Sequence, residues 1–189
     1  MMHAAGTSAE EASSQLTAIW NNFYDGSKSL EYYADVITAL GAATASSSEE
    51  ISSGLQKFAS IGETVGLSYE YAASAMATIT ATSRESAETV GNALKTLFSR
   101  IQGLKLGDTL EDGVDLNKYS AALEKVGVHV LEANGELRDM DGILNDLMDK
   151  WGELDRAQQT ALAQTVAGQR QYAQFMTLMN NSDFFRENL

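Results

Sequence analysis

Proline is absent from all 189 residues of this chain, and that absence narrows the folds open to it. A proline inside a helix deletes a hydrogen bond and collides with the preceding turn, so nothing here interrupts an apolar stripe from within. Abundant alanine favours the helix by propensity. The many serines and threonines suit the caps between short helices. Helices in such a chain end where glycine or a new capping residue stops them. The expectation is a mainly α fold of short antiparallel helical hairpins packed as a bundle, with one small β-hairpin near 128–138.

The stripes can be read in order. Residues 8–24 carry Leu16, Ile19, Trp20 and Phe23 on one face before Gly26 breaks the helix. A second helix, about 29–45, is expected to bury Leu30, Tyr33, Ala34, Ile37 and Leu40. Ser47 with Glu50 is a capping box, and Ile51, Leu55, Phe58, Ala59 and Val65 follow at the 3.6 period. Gly66 ends that helix and Ser68 caps the next, which predicts a tight hairpin. The helix at 68–82 presents Ala72, Ala75, Met76 and Ile79, a small-residue face suited to close approach. Thr82 with Glu85 reads as a capping box for a fifth helix, about 84–102. Its Val90, Ala93, Leu94, Leu97, Phe98 and Ile101 form the best amphipathic stripe in the chain.

Residues 103–117 then lose periodicity and gain glycines and acids, which marks a loop and an internal boundary. A short helix is expected at 118–126. Val128-His129-Val130 alternates, Asn134-Gly135 is the preferred type I′ turn pair, and Leu137 resumes beyond it, the signature of a β-hairpin. Asp139 or Asp141 caps a helix bearing Ile143, Leu144, Leu147, Met148, Trp151 and Leu154. Asp155 with Gln158 opens the last helix, about 156–180, with Leu162, Val166, Tyr172, Phe175, Met176 and Met179 inward. Four regions result: an N-terminal helix with an untidy, artificial-looking end (1–28), a helical-hairpin region (29–103), an acidic loop (104–117) and a helix–β-hairpin–helix–helix region (118–189). The start at Met1-Met2-His3 and the stop within Asp183-Phe184-Phe185-Arg186 read as the edges of a fragment of something longer.

No constellation in the sequence supports catalysis, a metal or a cofactor. Aligning Gly113 with the glycine of a calcium loop puts Leu110 and Tyr119 where acids should bind. Gly91-Asn92-Ala93-Leu94-Lys95-Thr96 has a lysine–threonine pair but leucine where a phosphate loop needs glycine. There is no cysteine, and the two histidines, His3 and His129, stand far apart; His129 is expected on the polar face of a strand. Asp139, Asp141, Asp146 and Asp149 are explained as helix-start and solvated-face residues. The net charge of −13, with 11 acids against 5 bases in residues 1–104 and 15 against 8 in 105–189, repels phosphate backbones and argues against direct nucleic-acid binding. The longest uncharged stretches, such as 71–83, fall short of the roughly 20 apolar residues that a membrane span needs.

Residues 127–181 resemble the core region of phage tail tape-measure proteins. The elements that carry the likeness are Gly127-Val128-His129-Val130, Asn134-Gly135, Leu137-Arg138-Asp139, Ile143-Leu144, Trp151, Ala161-Leu162-Ala163, Gly168-Gln169-Arg170-Gln171 and Met179-Asn180-Asn181. Upstream, the stretch from Gly91 through Lys95 and Phe98 to Ile101 resembles the family's amphipathic helix, and 48–83 its alanine-rich hairpins. The likeness covers about 30–181.

The resemblance implies a structural role in a long-tailed phage or prophage, with no enzymatic activity and no cofactor. Tape-measure proteins are very long helical molecules in the lumen of the growing tail tube; tube length tracks their length, and they leave as DNA is ejected. Assembly would take place in the bacterial cytoplasm and end in the virion tail. The implied partners are the tail tube protein, tail assembly chaperones and tail-tip or baseplate proteins, with self-association open. This chain departs from a plain ruler: one continuous helix of its length would reach roughly 280 Å, and its capped short helices forbid that, so a folded domain is expected. Gly168, Gln169, Arg170 and Gln171 are the candidate protein-contact residues. Against that stands the reading in which Gly168 allows close helix packing and Arg170 pairs with a nearby acid. The competing function is a stand-alone acidic helical adaptor or binding module. A murein-degrading domain would need a catalytic glutamate or zinc ligands that this sequence does not supply.

Overall fold

About 70% of the chain is helix. The computed structural model describes residues 9–24 and 26–189, and in chain order these form α1 (Ala9–Phe23), α2 (Leu30–Ala43), α3 (Ser48–Thr64), α4 (Tyr69–Ser83) and α5 (Ala87–Lys105), then α6 (Leu116–Glu124), α7 (Met140–Trp151), α8 (Arg156–Ala167), α9 (Tyr172–Asn180) and α10 (Ser182–Glu187). The sequence caps fix most of the starts. Ser47 and Glu50 form the reciprocal box before α3, Asp155 and Gln158 do the same before α8, and the Ser68 hydroxyl accepts from the Tyr71 N–H before α4. Each satisfies backbone donors that the first helical turn leaves without partners.

α4 is the axle of the molecule. Tyr69 and every residue from Tyr71 to Thr80 are buried, and α2, α3, α5, α9 and α10 all pack around it. A helix that is buried on all sides carries no amphipathic signal, which is why the sequence shows only one small-residue face there. Beside it, α3 and α5 cross at their glycines. A methyl group added to Gly91 would sit 3.0 Å from the Cα and the carbonyl oxygen of Gly54. Just beyond the crossing, Phe58 and Phe98 meet with ring centroids 5.9 Å apart.

The C-terminal half joins the same core through the α3–α4 turn. Gly66 adopts φ +77° there. Its neighbour Val65 accepts from the Met140 N–H (3.0 Å), and the Asp141 carboxylate accepts from the Ser68 N–H (3.1 Å). One contiguous cluster of buried side chains runs from Ile19 to Phe185.

Several expectations need correction. Leu30 is 45% exposed, not buried, because it is the first residue of α2 and precedes the stripe of Tyr33, Ile37 and Leu40. The fifth helix starts later than expected: Thr82 donates back to the Thr78 carbonyl, Arg84 takes a left-handed conformation that ends α4, and Ser86 caps α5. Asp139 occupies the N-cap position of α7 without a side-chain cap bond.

The β-hairpin does not form. Among the described residues there is no strand; a single antiparallel bridge, Leu131 to Leu137, closes the Asn134-Gly135 turn. An isolated two-stranded ribbon is marginal in water, and here Val128, Val130 and Leu137 spend their side chains on the helical core instead. The last helix also divides: α8 stops at Ala167, and α9 begins only at Tyr172.

A cleft at the α8–α9 break as the candidate contact site

The break that divides the last helix is Gly168-Gln169-Arg170-Gln171. Gly168 sits at φ +85°, ψ +164°, backbone territory open essentially to glycine alone. Leu162, Val166, Phe175 and Met179 keep apolar spacing on either side of it, so the stripe alone does not reveal the break. The four residues separate in environment. Gly168 is buried, Gln169 and Arg170 are exposed, and Gln171 is half-buried.

They line one wall of a cleft of about 590 Å³, faced by Thr96, Ser99 and Arg100 of α5 and by Leu110, Glu111 and Asp112 of the acidic loop. Arg100 organises this place. Its guanidinium donates to the Thr165 carbonyl (2.9 Å) and to the Asp112 carboxylate (2.7 Å), with its side chain only 12% exposed. One side chain thereby closes the C-terminal end of α8, where carbonyls lack helical partners, and holds the loop against α5. Asp112 also accepts from the Val114 N–H (3.2 Å). Burial pushes the Asp112 carboxyl up, but the Arg100 hydrogen bond, the backbone N–H bonds and the Arg100 charge together hold it below its ordinary value.

Of the two sequence readings of the cluster, the structure separates the parts. Gly168 is not required by close packing, since a methyl there would meet the Arg100 guanidinium at 3.6 Å, an ordinary contact; its positive φ is what favours glycine. Arg170 has no ion pair among the described residues, so the expected pairing with a nearby acid is absent. Sequence reasoning missed Thr96, Ser99, Arg100, Leu110 and Glu111 as neighbours of this cluster. Arg100 stands one residue before Ile101 in the α5 stripe, and nothing in the spacing points across 65 residues to Thr165.

The acids weighed for catalysis have structural partners or positions. Asp146 receives Arg138 (3.0 Å), which also ties the 128–138 loop through the His129 carbonyl. Asp149 receives Arg186 (2.8 Å). His129 is exposed as expected, with its ring nitrogen 2.8 Å from Glu124. Asp141 lies beside Ser68 in a second cleft of about 440 Å³ that also holds Glu63, Glu70 and Asp139. Burial, the larger effect, and the charges of Asp139 and Glu70 push its carboxyl above the ordinary value despite the Ser68 hydrogen bond.

No helix among the described residues is long and apolar enough to cross a membrane, and none of their His, Asp and Glu side chains gather into a metal-holding group. No solved structure matches this chain. A family model described as phage-related minor tail protein matches residues 1–168, which takes in all of α1 to α8 and ends at the first residue of the break. By that match over most of its length, the chain belongs to the family of phage-related minor tail proteins.

Proposed function

We propose that this chain is a folded domain of a tail tape-measure protein, acting in tail assembly and tail-length determination inside the tail tube and leaving with the DNA at ejection. The observation that carries the reading is membership of the minor tail protein family over residues 1–168, joined to the tape-measure likeness of residues 127–181. The domain works by contact rather than catalysis: its carboxylates serve as caps, ties and solvated surface. The cleft at Gly168–Gln171 is its contact surface for another tail protein.

A ruler helix gains about 1.5 Å per residue. Short helices wrapped on one buried axle cannot supply that rise, so the measuring segment lies elsewhere in a longer parent molecule and this domain is a station along it, near the tail tip or initiator complex. The net charge of −13 suits a molecule that shares a tube with DNA and must release it. The test is an in-frame deletion of helical residues outside this domain in the parent phage, followed by electron microscopy of the tails. Tails should shorten by about 1.5 Å per deleted residue; tails of unchanged length would remove the tape-measure role and leave a minor tail protein of other function.

A further inference from the structure

We propose that Asn134 is a site of covalent self-modification, at which the Gly135 backbone nitrogen attacks the asparagine side chain and the surrounding turn gates the reaction. Glycine has no Cβ, so it shields its own backbone nitrogen least, and Asn134 is the one asparagine in the sequence that glycine follows. Both residues are exposed, and nothing lies within 4 Å of the place where a Gly135 Cβ would stand. The Asn134 side chain is held through Oδ1, which accepts from the Glu136 N–H (3.0 Å), and its amide nitrogen is left to solvent. The step balances without a cofactor or an oxidant. Solvent base removes the Gly135 N–H proton, the nitrogen bonds to Cγ of Asn134, and the Cγ–Nδ2 bond breaks with release of ammonia. One water then opens the cyclic imide. Entry at Cγ gives aspartate; entry at the backbone carbonyl of residue 134 gives isoaspartate, in which the main chain runs through Cγ. One water enters and one ammonia leaves, and the product adds one negative charge to the −13 of the chain.

The fold sets the pace. The Gly135 N–H donates to the Glu132 carbonyl (2.9 Å), and a nitrogen committed as a donor must leave that acceptor before it attacks. The Glu136 N–H fixes Oδ1, and the Glu132 N–H donates to the Glu136 carbonyl (2.7 Å) across the tip. These bonds join exposed residues, 132 to 136, with no buried apolar side chain among them, so the tip belongs to the parts of a fold that open at low cost. The base of the loop is held more firmly. Val128, Val130 and Leu137 are buried, and the Arg138 guanidinium ties the His129 carbonyl (2.6 Å) to the Asp146 carboxylate (3.0 Å). Isoaspartate would add a backbone carbon between residues 134 and 135. Gly135 and Glu136 would then lose register with Glu132, and the tip would stay loose over a base still anchored in the core.

The test is to incubate the purified chain in mildly alkaline buffer, folded and in concentrated urea, and to follow each asparagine by peptide mass spectrometry. A methyltransferase specific for isoaspartate scores the second product. Asn134 should convert to both acids in the folded chain, about tenfold more slowly than in urea, the equivalent of about 1.4 kcal/mol of local opening. Asn92 in α5 and Asn145 in α7 should stay unchanged in the folded chain and serve as internal references. Arg138→Gln, checked by a thermal melt to be folded, frees the base of the loop and should bring the folded rate at least threefold closer to the urea rate. No conversion of Asn134 in the folded chain by the time the unfolded chain is fully converted would overturn the site. So would conversion of Asn92 or Asn145 as fast as Asn134. Equal folded and unfolded rates, or a folded rate unmoved by Arg138→Gln, would overturn the gate. None of these outcomes bears on the tape-measure reading, which stands or falls on tail length.

Discussion

Two aspartates in this chain hold protons with opposite changes in strength, and the signs follow from their neighbours. Asp112 is paired with Arg100 and its carboxyl lies below the ordinary 3.8, so its ionised form stabilises the fold above that pH, and the contribution is lost as pH falls through the lowered folded value. Asp141, partly buried and beside the charges of Asp139 and Glu70, lies above it. Its charge therefore opposes folding at neutral pH, and the opposition fades as pH falls through the raised folded value. Asp112→Asn should destabilise the protein at pH 7 by only about 0.5 kcal/mol, because solvent screens a carboxylate that is 37% exposed, with the difference shrinking below pH 3.8. Asp141→Asn keeps an acceptor for the Ser68 N–H and should stabilise at pH 7 by only about 0.5 kcal/mol, because solvent screens this partly exposed group; that gain should vanish near pH 3. Urea titrations at the two pH values check both signs. Arg84 offers a simpler residue-scale test. At φ +63° it is the non-glycine residue with positive φ among those described, at a helix end where glycine is the usual occupant. Arg84→Gly should raise the melting temperature by about 2–4 °C, the equivalent of about 1 kcal/mol in a chain of this size.

At the scale of the elements, what was legible in the sequence was what local chemistry decides. The Ser47–Glu50 and Asp155–Gln158 boxes, the Ser68 cap and the α5 stripe all stand where spacing put them, because each depends on residues within about one or two turns. The parts decided by long-range contact were not legible. α4 reads as an unremarkable small-residue helix, yet five other helices surround it. The Asn134-Gly135 turn promised strands, but its flanking apolar residues found better burial against helices than against each other. The candidate site was half legible: the tape-measure likeness picked out Gly168–Gln171, while Arg100, which anchors the cleft, acts through Thr165 and Asp112 and has no local signal. The α3–α5 crossing gives the element-scale prediction. Gly91→Leu has nowhere to place its side chain against the Gly54 backbone, and overpacking of this kind costs about 1–3 kcal/mol. Gly152 has open space around its Cβ position and φ −67°, so Gly152→Ala should be neutral or slightly stabilising. Thermal melts of the two variants should therefore move apart, and similar melts would mean that the helices can separate at the crossing without loss.

For the whole molecule, the boundary of the family match and the boundary of the core do not coincide. The match ends at Gly168, but the core continues through α9 and α10. Phe175, Leu178 and Met179 are buried against the rest, and Phe185 packs on Tyr71 of the central helix with ring centroids 4.6 Å apart. The Ser74 hydroxyl, also on α4, donates to the Asn188 carbonyl (3.0 Å), and the Trp151 indole N–H donates to the Asn180 side chain (2.8 Å). Burying a large apolar side chain is worth about 1.5–3 kcal/mol, so four of them supply on the order of 6–12 kcal/mol, as much as the 5–15 kcal/mol net stability of an ordinary domain. Ending the chain after Gly168 would also strip one flank of α4, exposing Tyr71 and Ser74 to water. The truncated chain should lose its cooperative thermal transition and bind a hydrophobic dye, while retaining helical circular dichroism from α3 and α5. If it instead melted cooperatively at close to the full-length temperature, α9 and α10 would be an appendage on an autonomous α1–α8 unit. The Gly168–Gln171 break would then be a hinge between two bodies rather than a turn within one core, and a contact made at the cleft could move the C-terminal segment without unfolding the domain.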